Sequence, residues 1–252
     1  MALRFCFLLA FFSVPLNGGL NMNSTSRADD PFEDVRSMIR EAIKNENLPS
    51  LTVAVVQDGK ICWQEGFGLA DREKKLEATS DTMYSLASIS KPITATGLML
   101  LVSQQKLKLD DRTNDHLGDA KLTGPADQGG EATIRQVANH SSGLPLHYQF
   151  FYEGQSHPVP DRDESIRRYG VLVTPPGEVY QYANLGYGIL DHIIQRKSGM
   201  PYAEFMQQHV FSPLGMKNTS VHAPDNDTTS QVAVRYDPSG QPIPYYLFDH
   251  DG

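Results

Sequence analysis

Ser88-Ile89-Ser90-Lys91 sets a hydroxyl and an amine three residues apart, with Pro92 directly behind them. On a helix this i, i+3 spacing brings both groups to one face, within hydrogen-bond reach. A serine hydroxyl is a weak nucleophile until a neighbouring base takes its proton, and a lysine that is buried or has a cationic neighbour can be that base. Proline is tolerated in a first turn, where its missing N–H is no loss, so Pro92 marks a helix start near Ser88. The N-terminus of that helix adds positive potential for a developing oxyanion. Alone, the same residues would read as an N-cap and a solvated charge.

A second cluster changes the odds. Tyr182-Ala183-Asn184 lies at a loop-to-helix junction, after Pro175-Pro176-Gly177 and before Leu185-Gly186-Tyr187. A tyrosine beside a lysine can act as acid or base, and an asparagine amide offers one donor and one acceptor with which to orient a substrate amide.

The elements that would hold these groups follow from periodicity. Phe32, Val35, Met38, Ile39, Ala42 and Ile43 recur at helical spacing, and Leu51 to Val56 and Lys60 to Phe67 form a hairpin around Asp58-Gly59. Asp71 to Ser80 reads as charged and strandless. Helices then dominate: a segment beginning near Ser88 and punctuated by Ile93, Gly97, Leu98, Leu101 and Leu107, short ones at Thr133 to Ala138 and Ser165 to Tyr169, and Leu185 to Lys197 with Gly199 as its stop. Tyr202, Phe205, Met206 and Val210 give a last amphipathic helix before a loop-rich tail from Ser212.

In the same order the chain carries Ser85-Leu86-Ala87-Ser88-Ile89-Ser90-Lys91, Leu109-Asp110-Asp111, Thr133-Ile134-Arg135-Gln136, Asn139-His140-Ser141-Ser142-Gly143-Leu144-Pro145, the Tyr182 triplet and Pro213-Leu214-Gly215-Met216-Lys217-Asn218-Thr219. From about Pro31 onward it resembles the β-lactamase-type serine hydrolases, in particular the branch of class C β-lactamases, D-alanyl-D-alanine carboxypeptidases and related esterases. The resemblance implies Ser88 as acyl-enzyme nucleophile, Lys91 as its proton acceptor, Tyr182 as acid/base toward the leaving group and Asn184 as the substrate-binding residue. It implies no cofactor, and a small-molecule or peptide substrate with a scissile amide or ester. The histidine of the Asn139 to Pro145 segment is implied to be part of a structural turn.

The implied fold is α+β, an antiparallel sheet flanked by helices (residues 31–87) with a mostly helical region (88–216) and a tail (217–252). The family's third motif lies on a late strand. Lys197-Ser198-Gly199 spells it, but at the end of an amphipathic helix 13 residues beyond Asn184, where Gly199 reads as a helix stop and Lys197 as a last-turn cation. The resemblance therefore leads to the expectation that the 252 residues are a truncated product, poorly soluble and nearly inactive, lacking the strand that supplies one oxyanion donor.

Composition fits a soluble globular chain: 40% hydrophobic and 21% charged residues, with a net charge of −8. No Lys/Arg stripe is present for nucleic acid. Arg4 and the apolar run Phe5 to Val14 read as a signal peptide within residues 1–20, too short for a membrane span, followed by a leader at 21–30; the protein is expected to be exported, periplasmic or secreted. Cys62, alone in the mature chain, reads as core packing. His116, His140, His147, His157, His192, His209, His222 and His250 show no zinc spacing, which disfavours a metal hydrolase. The competing class is a non-catalytic penicillin-binding-like module that recognises peptidoglycan or a protein partner.

Overall fold

The structure, a computed structural model, describes residues 30–45, 47–124, 131–146, 150–152, 156, 158–222, 232–243 and 246–249. Residues 1–20, expected from sequence to be a signal peptide, and most of the expected leader lie outside the described residues, as do His147, His157 and His250.

Helix α1 (Glu33–Asn45) and strands β1 (Ser50–Gln57) and β2 (Lys60–Asp71) fall where the periodicity places them. The hairpin turn has positive φ at both Asp58 (50°) and Gly59 (73°), as a tight two-residue connection requires. β1 and β2 are antiparallel, pairing Leu51 with Phe67 and Val53 with Glu65, with an irregularity between Val55 and Val56. Alternation along β2 turns Trp63 and Glu65 toward α1: Phe32 stacks on the indole at 4.9 Å, and Arg36 bonds Glu65 and lies over the same ring.

Cys62 is on the opposite face and exposed, its thiol against the Val55 carbonyl, which corrects the core assignment: its strand position decides its side, whatever the polarity of its neighbours. A second correction concerns the stretch after Asp71, where a two-residue strand, β3 (Leu76–Glu77), returns along the end of β2. A third is in the tail: β5 (Tyr246–Asp249) pairs antiparallel with β4 (Phe150–Tyr152), a pairing between residues too distant in sequence for local patterning to reveal.

The helical part is built around α5 (Asn184–Ser198), buried continuously from Asn184 to Ile194. Its neighbours are α2 (Ser90–Ser103), α3 (Ile134–Ala138), α4 (Arg162–Tyr169) and α6 (Tyr202–Met206). α3 begins with a reciprocal cap, Thr133 and Gln136 each satisfying the other's backbone N–H. α4 starts three residues earlier than the apolar pattern shows, because Asp161 caps it by accepting from the Glu164 N–H. α6 passes into a wider π turn at Gln207–Phe211.

Leu98, Leu101, Ile189, Leu190, Ile193, Ile194 and Phe205 form the centre of the core. Gly97 lets α2 approach: a Cβ there would meet Met206 Sδ at 2.6 Å. α5 ends at Gly199 in the left-handed conformation (φ 73°), with Arg196 and Lys197 in the last turn, as the sequence reading has it. Among the described residues no helix is long and apolar enough to cross a membrane.

Candidate active site

Ser88 sits in a 3₁₀ turn, Ala87–Ile89, that feeds into α2, so the expectation of one helix from Ser88 needs a small correction. The tighter turn serves the spacing: in 3₁₀ geometry residues i and i+3 eclipse. Lys91, in the first turn of α2, is 6% exposed and its Nζ donates to Ser88 Oγ at 3.4 Å. Pro92 follows within that turn. The residue before the serine, Ala87, has φ 47°. This left-handed conformation costs an L-residue about 1–2 kcal/mol. Nothing in the sequence flags it, since alanine carries no preference for that region.

Tyr182 arrives from a separate segment. Its hydroxyl donates to Ser88 Oγ at 2.8 Å, so the serine oxygen accepts two hydrogen bonds from side chains on different segments. Lys91 Nζ lies over the Tyr182 ring at 5.1 Å and the Tyr187 ring at 5.7 Å, a cation held between two aromatic faces. Tyr187, on α5, is anchored by its hydroxyl to the Ala138 carbonyl at 2.9 Å, and burial pushes its own phenol up from the ordinary value. Asn184 opens α5 two residues after Tyr182 and is 4% exposed. The structure thus brings Ser88, Lys91 and Tyr182 into direct contact and places Asn184 at the adjoining helix start.

The segment bearing Tyr182 is tied to the turn at residues 139–143. Val173 N–H donates to the Gly143 carbonyl (2.8 Å), Gly177 N–H to Ser141 (2.7 Å) and Gln181 N–H to His140 (2.8 Å). Gly143 has φ 89°, and a Cβ there would run into the Thr174 carbonyl oxygen, so only glycine permits this approach. His140 packs its ring against Tyr182 at 4.5 Å, and its Nδ1 accepts from the Ala183 N–H at 3.2 Å. The turn expected around His140 is present, and His140 also touches the candidate site.

Lys197 belongs elsewhere. At 1.5 Å per residue, its place on α5 is about 20 Å along the axis from Asn184. There it lines a polar hollow with Asp115, His116 and Arg196, and its charge, after burial, helps hold His116 below the ordinary histidine value. Ser198 turns its hydroxyl to the Gln195 carbonyl. Among the described residues no group of three or more His, Cys, Asp or Glu side chains could hold a metal ion.

The chain is similar to Penicillin-binding protein 4* of Bacillus subtilis, 35% identical over 176 residues that make up 68% of this chain and 38% of the relative. It is 28% identical to a class C β-lactamase from Rhodobacter sphaeroides, with a TM-score of 0.68 over 82% of this chain and 56% of that one. EstCE1, described as a hydrolase with promiscuous acyltransferase activity, is 25% identical with a TM-score of 0.71, covering 84% of this chain and 58% of that one. The chain therefore spans less than half the length of the curated relatives it matches. A model of the Beta-lactamase family matches residues 35–246, which contain Ser88, Lys91, Tyr182 and Asn184, and with the shared α+β fold this shows that the chain belongs to the family of serine β-lactamases and penicillin-binding proteins.

Proposed function

We propose that the protein is an exported serine hydrolase that transfers the acyl group of an amide or ester to water through Ser88. The observation that carries the reading is the convergence on Ser88 Oγ of Tyr182 Oη at 2.8 Å and Lys91 Nζ at 3.4 Å from separate segments. With Lys91 as the free amine, Ser88 Oγ attacks the carbonyl carbon and gives its proton to Lys91 Nζ. The tetrahedral oxyanion faces the Ser88 N–H at the mouth of α2, and its collapse expels an amine or alcohol that takes a proton through Tyr182. Water then attacks the ester on Ser88 by the reverse proton route. Asn184, held in place by burial at the start of α5, orients a substrate amide.

Similarity to a penicillin-binding protein, a class C β-lactamase and a hydrolase with acyltransferase activity supports the reaction class and leaves β-lactams, D-Ala-D-Ala peptides and small esters as the substrates to compare. The apolar run from Phe5 to Val14 supports export. Hydrolysis of nitrocefin, a D-Ala-D-Ala peptide and p-nitrophenyl esters, measured side by side with wild type and Ser88→Ala, tests the proposal. Serine-dependent turnover of any of them supports it. A chain that binds a fluorescent penicillin reversibly and turns over none is instead a binding module.

A further inference from the structure

His140 is a non-glycine residue with φ 62°, at the crown of the turn that holds the Tyr182 segment. Its carbonyl accepts from the N–H of Gln181 (2.8 Å) and its Nδ1 from the N–H of Ala183 (3.2 Å), so one residue grips the main chain immediately before and immediately after Tyr182. Its ring lies between three tyrosines, tilted against Tyr182 at 4.5 Å and Tyr187 at 5.4 Å and edge-on to Tyr180 at 5.9 Å. We propose that His140 is a positioning residue for Tyr182: in its neutral form, with Nδ1 unprotonated, it fixes the phenol against Ser88, and its protonation releases that grip.

The chemistry requires one tautomer. An imidazole nitrogen that accepts a hydrogen bond carries no proton, so the proton of neutral His140 is on Nε2. Adding a second proton turns Nδ1 into a donor pointed at the Ala183 N–H, and the contact becomes a repulsion between two donors. The groups facing the ring are Tyr180 and Tyr182 from the segment it grips, Tyr187 from α5 and the charge of Lys91 from α2; among the described residues no carboxylate pairs with it. Burial first, then the Lys91 charge, keeps His140 below the ordinary histidine value, consistent with a neutral ring near pH 7.

The inference rests on the reading of Ser88 and Tyr182 given above, and the test separates the two. Asparagine tolerates positive φ, and its Oδ1 occupies the place of histidine Nδ1 as an acceptor that does not titrate; glycine tolerates the φ but offers neither acceptor nor ring. In the full chain, the rate of Ser88 labelling by a fluorophosphonate is followed from pH 5 to 8.5 in wild type, His140→Asn and His140→Gly. Imidazole nitrogen and tyrosine side-chain NMR are recorded on wild type over the same range. Near pH 8, His140→Asn should label close to the wild-type rate and His140→Gly about ten- to a hundredfold more slowly, the scale of a displaced catalytic group. The wild-type rate should fall as His140 takes up its proton, with a parallel shift of the Tyr182 resonances, while His140→Asn shows no such one-proton fall. A proton on Nδ1 at pH 8, Tyr182 resonances indifferent to His140, or a His140→Gly rate equal to wild type overturns the inference. If wild type is not labelled at all while Nδ1 is bare and Tyr182 follows His140, positioning stands and the hydrolase reading fails.

Discussion

Replacing Tyr182 with phenylalanine removes one oxygen and leaves the ring. The ring keeps its contacts with His140 at 4.5 Å and Lys91 at 5.1 Å, so the segment remains supported. What disappears is the 2.8 Å hydrogen bond to Ser88 Oγ, which joins partly exposed groups. A bond of that kind contributes on the order of 1 kcal/mol or less to stability. For a chain of 252 residues this is a shift of about 2–4 °C or less in melting temperature. The effect on rate is of another order: a lost general acid/base group lowers turnover about 10²- to 10⁴-fold. The assay pairs thermal unfolding with the rate of p-nitrophenol release from a p-nitrophenyl ester at fixed pH. We expect nearly unchanged melting and a rate down by about a hundredfold or more, carried by kcat with KM little altered. A rate within a few-fold of wild type would refute the role of the hydroxyl. A large loss of melting temperature would show instead that Tyr182 is mainly part of the packing.

Other consequences can be measured. His116, His140 and His192 are all held below the ordinary histidine value of 6.5, in each case first by burial. The unfolded chain therefore binds these protons first, and stability should be level above about pH 7.5 and fall as pH drops through 6.5, a trend that denaturant unfolding at stepped pH would reveal or contradict. Gly143→Ala forces a Cβ toward the Thr174 carbonyl oxygen at φ 89° and should destabilise by about 2 kcal/mol or more in denaturant unfolding, weakening the Tyr182 segment with it. Lys197→Ala, far along α5, should leave the rate of Ser88 labelling unchanged; a large loss would mean that Lys197-Ser198-Gly199 is a functional motif after all.

Much of the site is legible in the sequence because its signals are local. Ser88 and Lys91 are three residues apart, Pro92 marks the turn that holds them, and Tyr182 sits just before a helix with strong 3.6-residue periodicity. Lys197-Ser198-Gly199 reads the same way, since Gly199 ends α5 and does take the left-handed conformation. What sequence leaves out depends on distance or on backbone shape. The grip of His140 joins residues 43 apart in the chain, and the pairing of β4 with β5 joins residues further apart still. The positive φ of Ala87 is imposed by its surroundings and has no side-chain signature. Cys62 is misassigned because an apolar stretch seen in one dimension does not say which face of the strand is covered.

The central claim is that Ser88 carries the acyl group. Its direct test is to mix the chain with a p-nitrophenyl ester or a fluorescent penicillin, quench early, digest the protein and locate the added mass on the peptide that holds Ser85, Ser88 and Ser90. One acyl group per chain is expected, with fragmentation that assigns it to Ser88 and no adduct in Ser88→Ala. Acylation of Ser90, or an adduct of equal yield in Ser88→Ala, would contradict it.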